Sequence, residues 1–317
     1  MQNGYKTGYN SQFIPTKFRC EGDIAHSSLS AGMACSRKFV VVGSWDGLAR
    51  DDDVERLANT LRTGPLNPNT EVVIGCPTWS YNFAKQHLPR EVGIATQISY
   101  ETEIDLTSKA SLEMPSNNGR DWVLLNDLNK SNDALAKNVR LALEVDLMII
   151  ACVCETTDDR KKGRTREVLF RQLETFASAI SDWSRVVIAF EALWATNTGV
   201  FATNQQVQEA LALVRDWLRN NMGDGVADTT RIIYAGMVFP SNCHALAKLK
   251  DLDGFLVRSD ALNFDFLQIV NASRSSHSAL LMKQQQLKAT TRLIQGLREE
   301  YFHYKSLQRK RTPKRYI

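Results

Sequence analysis

Eight short, almost continuously apolar runs rich in β-branched residues recur along the chain. They are KFVVVGSW (38–45), EVVIGC (71–76), VGIATQI (92–98), WVLLND (122–127), DLMIIACVC (146–154), RVVIAFEALW (185–194), RIIYAG (231–236) and DGFLVRS (253–259). A strand with one wet face alternates apolar and polar positions. Near-continuous runs predict strands covered on both faces, as in a parallel sheet. Between the runs lie longer segments with helical spacing. The clearest, TNQQVQEALALVRDWLRNNMG, puts Val207, Ala210, Leu211, Val214, Trp217 and Leu218 on one face, opens on a Thr cap and stops before Gly223. Strand and helix alternating eight times predict an α/β fold: a (β/α)8 TIM barrel, with an open doubly wound sheet as the alternative.

Two stretches fall outside this pattern. Residues 1–37 form a polar N-terminal extension with no periodic apolar positions, its first stretch MQNGYKTGYNSQFIPTKF rich in Gly, Asn and Tyr. Residues 273–317 predict an amphipathic helix, because Leu280, Leu287, Ile294, Leu297, Tyr301 and Tyr304 fall at spacings of three, four and seven. Lys283, Lys288, Arg292, Arg298 and Lys305 stand mostly beside that stripe, and Pro313 stops the helix in the basic run QRKRTPKRY. The barrel itself is expected over residues 38–272.

Charge sharpens this division. The net charge of +4 hides a tail from Ser273 onward at +9 and a body at −5. The basicity therefore belongs to the extension. Hydrophobic residues make up 43% of the chain, enough for a sizeable core. No apolar run reaches the about 18 residues that span a bilayer. The N-terminus lacks both a secretory apolar region and an Arg-rich amphipathic helix, although a mitochondrial address stays open. Six scattered cysteines make no disulfide scaffold; Cys76, Cys152 and Cys154 sit in apolar runs and read as buried thiols. No CxxC pair or HExxH supplies zinc ligands, and GxGxxG and GxxxxGK[ST] are absent, so neither a metal nor a nucleotide cofactor is expected.

Between residues 146 and 272 the chain resembles the triosephosphate isomerase family. ACVCETTDDRKKGRT resembles the segment after the family's fifth strand, and DWSRVVIAFEALWATNTG its sixth strand and lid. TRIIYAG resembles the seventh strand end, and DGFLVRSDALNFDFLQIVNA the eighth strand region; KFVVVGSWDG extends the similarity back to Lys38. The resemblance implies the barrel fold. It also implies a known chemistry: a Glu removes a proton beside a carbonyl, a neutral His polarises that carbonyl, a Lys supplies positive potential, and backbone amides under a hinged lid hold the phosphate.

Carried over residue by residue, that resemblance leaves only the base, Glu191. The family's Asn-Trp-Lys reads Ser44-Trp45-Asp46, and Asp127 stands where the His belongs. Ala192-Leu193-Trp194 replaces the Pro-Val-Trp hinge, and Asn197 replaces a phosphate-binding Gly. Met237 replaces a Ser on the next turn, and Arg258-Ser259 a Gly-Gly pair after the last strand. No functional catalytic set is expected, and the phosphate site at Asn197, Met237, Arg258 and Ser259 is expected to be degenerate. Asp46, Asp127 and Glu191 would gather negative charge that opposes an anion; the alternative is a repurposed enzyme, or a metal or ligand binder, using this acidic rim.

The expected function is thus a catalytically inactive, triosephosphate-isomerase-like structural or docking subunit of a larger assembly. Its partner contacts are expected at Leu287, Ile294, Leu297, Tyr301 and Tyr304, with residues 1–37 as a second attachment. The basic tail suits tubulin or another acidic surface, with nucleic acid as an alternative. GYNSQFIP resembles the Gly-Tyr…Ile-Pro segments of proteins that line ciliary microtubules, which points to a cytoplasmic location at the ciliary axoneme. The family's dimer loop is diverged here as SYETEIDLTSKASLEM, so dimerisation through that loop is not expected.

Overall fold

The computed structural model describes residues 37–45, 50–98, 121–125 and 132–273, together with 291, 294–296, 298 and 301. The chain divides into two units, Met1–Ala34 and Cys35–Ile317, and every described residue lies in the second. Eight parallel strands close in sequence order into one barrel. They are β1 (Phe39–Ser44), β2 (Thr70–Cys76), β3 (Gly93–Ile98), β4 (Asp121–Leu125), β5 (Met148–Glu155), β6 (Val186–Ala192), β7 (Arg231–Ala235) and β8 (Gly254–Val257). Each apolar run thus contains a strand, and helices cross back outside.

Strand alternation explains why the runs are continuous. Alternate residues such as Val40, Val42, Trp122, Ile150, Val187 and Ile233 form the core inside the barrel. Their neighbours, such as Val41, Val123, Ile149, Ile188 and Ile232, pack in the larger cluster with helix residues including Leu169, Leu211 and Phe266. The helix Asn204–Met222 follows the expected pattern: Thr203 caps it by accepting from Gln206 N, its six named apolar residues are buried, and Gly223 ends it at φ 93°. The run 185–194 is shorter as a strand than its apolarity suggests. β6 ends at Ala192, and Leu193–Thr196 turns into a short helix. Likewise β8 ends at Val257, and Arg258 already lies outside it.

The seam between β8 and β1 depends on Gly254. Its φ is +153°, and a Cβ there would lie 1.8 Å from Val40 O, so a side chain cannot be fitted without moving the backbone of β1. Beside it Asp253 anchors the N-terminal face. Its Oδ2 accepts from Arg215 Nη2 at 2.7 Å and from Ile232 N at 2.9 Å, and its Oδ1 from Arg37 Nε at 2.6 Å. Arg215 is buried and also donates to Ala227 O at 2.7 Å and Thr230 O at 2.5 Å.

Both ends of the barrel leave on this face. Arg37 is tied to Asp253 and to Asp228 O, at 3.2 Å. At the other end the last helix, Phe264–Val270, brings the chain back; Asn67 Nδ2 donates to Ser273 Oγ at 3.1 Å, and Asn271 Nδ2 to Pro65 O at 2.9 Å. The barrel is complete before residue 274.

Candidate functional site

Following the interior alternation to the C-terminal ends of the strands leads to Ser44, Gln97, Cys154 and Glu191. Ser44 is buried and accepts from Gln97 Nε2 at 2.5 Å. Glu191 is half-buried on β6, level with Cys154 of β5 and Ala235 of β7. Burial, and after it the charge of Glu191, pushes the Cys154 thiol up to about 12. The same two causes hold Cys152 well above the ordinary thiol range, and burial takes Cys76 to about 12. A thiol next to a carboxylate here is thus kept protonated rather than activated.

This yields a prediction for thiol chemistry. In the native chain at pH 8, iodoacetamide should label Cys76 and Cys154 at least about a hundredfold more slowly than in the unfolded chain. Peptide mapping by mass spectrometry reads it. Equal labelling of Cys154 in both states would show a reactive nucleophile beside Glu191 and contradict this picture.

The lid-like segment after β6 is held at both ends. Trp194 Nε1 donates to Glu155 Oε2 at 2.9 Å, and Glu155 is fully buried at the end of β5. Thr165 Oγ1 donates to the other carboxylate oxygen, and Arg160 stands 3.7 Å from Oε2 with its guanidinium over the Trp194 ring. A buried carboxylate with hydroxyl, indole and guanidinium partners is satisfied in the way burial requires. At the far end Phe201 meets Phe239 edge-on, with ring centroids 5.7 Å apart. Asn197 between them is exposed, and Gly199 takes the left-handed conformation that a tight turn needs.

A cavity of about 240 Å³ opens beside this segment, lined by Thr196, by Gly236–Phe239 after β7, and by Val257, Arg258, Asp260 and Ala261 around the end of β8. Met237 and Arg258 are therefore brought together, whereas Asn197 and Ser259 stand next to lining residues without lining it themselves. Ser44 and Glu191 lie at the barrel mouth and are also not part of the lining. The turn after β7 uses its amides internally: Val238 N donates to Gly236 O at 2.9 Å, and Phe239 N to Asn242 Oδ1 at 2.8 Å. Anion binding by backbone needs N–H groups that converge on the ligand, and these two are already engaged.

Asp46 and Asp127 lie outside the described residues, so the acidic rim is represented by Glu191 alone. Among the described residues no group of three His, Cys, Asp or Glu is placed to hold a metal ion, and no helix is long and apolar enough to cross a membrane. Of the expected partner stripe, Ile294 and Tyr301 are described; Leu287, Leu297 and Tyr304 are not. Glu155, Thr165 and Phe239 were not singled out by their sequence pattern. The one signal for Glu155 is a carboxylate closing an otherwise apolar strand.

A barrel of eight strands in sequence order, with Glu191 one residue before the end of the sixth and a short helix after it, agrees with the sequence resemblance. The family model described as triosephosphate isomerase matches residues 39–273, which span the barrel from β1 to just past its last helix, and the chain belongs to the triosephosphate isomerase family.

Proposed function

We propose that this member of the family is catalytically inactive and serves as a structural or docking subunit of a larger assembly. The observation that carries the reading is the completeness of the barrel. β8 pairs with β1 and the helix Phe264–Val270 finishes the fold, so residues 274–317 add nothing to closing it. A basic, amphipathic extension beyond a finished domain is suited to a partner.

The rim supports the inactive half of the proposal. A phosphate dianion needs converging amides and positive potential, with glycine where the backbone must approach closely. In this chain Arg258 and Met237 line the cavity, and Asp260 in the same lining offsets the positive charge of Arg258. The location we propose, the cytoplasmic ciliary axoneme, rests on GYNSQFIP in the N-terminal extension, which lies outside the described residues.

Native particle size in a gentle lysate tests the docking role. Full-length chain is expected in a very large particle, and a chain truncated after Ala272 should run free. If both run free, the docking proposal fails, and the acidic rim becomes the place to screen for a ligand.

A further inference from the structure

Thr165 joins a basic turn on the surface of the barrel to the buried carboxylate behind it. The turn runs from the short helix Thr157–Lys161 to the helix Thr165–Ala177, through Gly163 at φ 66°. Arg160, Lys161, Lys162 and Arg164 fall within the five positions before Thr165, and Arg166 follows it. Lys162 and Arg164 are paired with Asp158, and Arg164 also with Asp159. Lys161 and Arg166 are exposed and have no carboxylate partner among the described residues. Thr165 itself is half-buried and opens its helix, and the residue before it, Arg164, makes no side-chain cap. The N–H groups of an opening turn lack partners inside the helix and give it positive potential.

Inward, the Thr165 hydroxyl donates to Glu155, which is fully buried. The same carboxylate accepts from Trp194 Nε1 at 2.9 Å, and Arg160 stands 3.7 Å away with its guanidinium over the Trp194 ring. A phosphate ester on Thr165 has three effects here. Its oxygen keeps no proton to donate, so Glu155 loses a donor that water cannot replace. About −1.5 to −2 of new charge arrives beside a buried anion. Outside, that charge meets the helix N-terminus, Lys161 and Arg166, and it competes for Arg160. The free hydroxyl thus fastens the segment after β6, and the ester favours its release.

We propose that Thr165 is a phosphorylation site for a serine/threonine kinase with an acidic substrate groove, and that the phosphate frees Trp194 from Glu155. The charge pattern selects that class of enzyme. Bases stand five, four, three and one positions before the acceptor, which suits a groove lined by carboxylates. The position permits access, because local opening costs least at the ends of helices and in exposed turns. In the transfer, Thr165 Oγ bonds to the γ-phosphorus of a nucleoside triphosphate as the bond from that phosphorus to the β,γ-bridging oxygen breaks. The nucleoside diphosphate leaves, and the hydroxyl proton passes to the base of the kinase.

The test incubates the native full-length chain with ATP, Mg²⁺ and a kinase that selects bases three and five positions before the acceptor. Peptide mapping by mass spectrometry should find the phosphoryl group on Thr165. Thr156 and Thr157, set among Glu155, Asp158 and Asp159, should stay unmodified. Chymotrypsin should then cut after Trp194 at least about tenfold faster than in the unmodified chain, and a phosphatase should reverse the change. Thr165→Ala withdraws a donor from Glu155 and could loosen the segment by itself. Thr165→Ser keeps the hydroxyl, and should be modified and released like the natural chain. In Glu155→Gln the repulsion is gone, so phosphorylation should speed the cut by less than about threefold.

Modification of Thr165 in the unfolded chain but not in the native one overturns the site. Phosphorylation without faster cutting after Trp194 overturns the release. So does an equal acceleration in Glu155→Gln, because the buried carboxylate is then not what the phosphate acts upon.

Discussion

Given glyceraldehyde 3-phosphate, the full-length chain is expected to isomerise it about four to six orders of magnitude more slowly than an intact member of its family. Loss of one well-placed electrophilic group costs about two to three orders of magnitude. The sequence resemblance puts Asp46 where the family has its Lys and Asp127 where it has its His, and on the inactive reading proposed above both electrophilic groups are gone. Together they correspond to about 5 to 8 kcal/mol of transition-state stabilisation. A coupled spectrophotometric assay measures it, and turnover within about a hundredfold of an intact enzyme sinks the inactive reading. Restoring Asp46→Lys with Asp127→His is not expected to recover the rate. Arg258 and Met237 would still line the cavity, and the amides of Val238 and Phe239 would still be engaged within their own turn.

Replacing Asp253 should be the most damaging single change to stability among the polar residues of the N-terminal face. Asp253→Ala removes the acceptor of Arg215, Arg37 and Ile232 N in one step. Arg215 would keep its charge in a site where it is only 3% exposed, with Asp251 Oδ1, 3.6 Å from its Nε, as the nearest remaining carboxylate. Breaking a buried pair from one side costs about 3–5 kcal/mol, because the stranded ion cannot regain water. Denaturant unfolding should show a midpoint lowered accordingly with an unchanged slope. The double variant Arg215→Met with Asp253→Leu should lose less than Asp253→Ala alone, since it buries no unpaired ion. A loss below about 1 kcal/mol for Asp253→Ala would mean that the face relaxes around Arg215.

The barrel was legible because its signal is repeated eight times and physically simple: a strand covered on both faces cannot hide its apolarity. The strand ends were less legible. Ala192-Leu193-Trp194 is as apolar as the strand before it, yet the chain turns there because Trp194 reaches the buried Glu155 across the rim. That contact joins residues 39 apart, and no local period encodes it. Arg215 was hidden for the same reason: it sits on a helix beside Val214, and only the fold brings Asp253 to it. At the site, Glu191 lies on β6, Met237 on the turn after β7 and Arg258 just past β8. The cavity joins Met237 to Arg258 but leaves Glu191 and Ser44 at the barrel mouth.

Arg37 and Ser273 are both fastened at the N-terminal face, opposite the rim that carries Glu191 and the cavity. This arrangement separates two histories within one domain. Chain added at either end starts from the face opposite the mouth, so on the reading proposed above a tail could have arisen while the ancestor still turned over substrate. On the same reading, once attachment became the selected property, rim residues could drift without loosening it. Recruitment before inactivation is the evolutionary order that this geometry favours, and inactive relatives with tails on this face should have active relatives with the same tails.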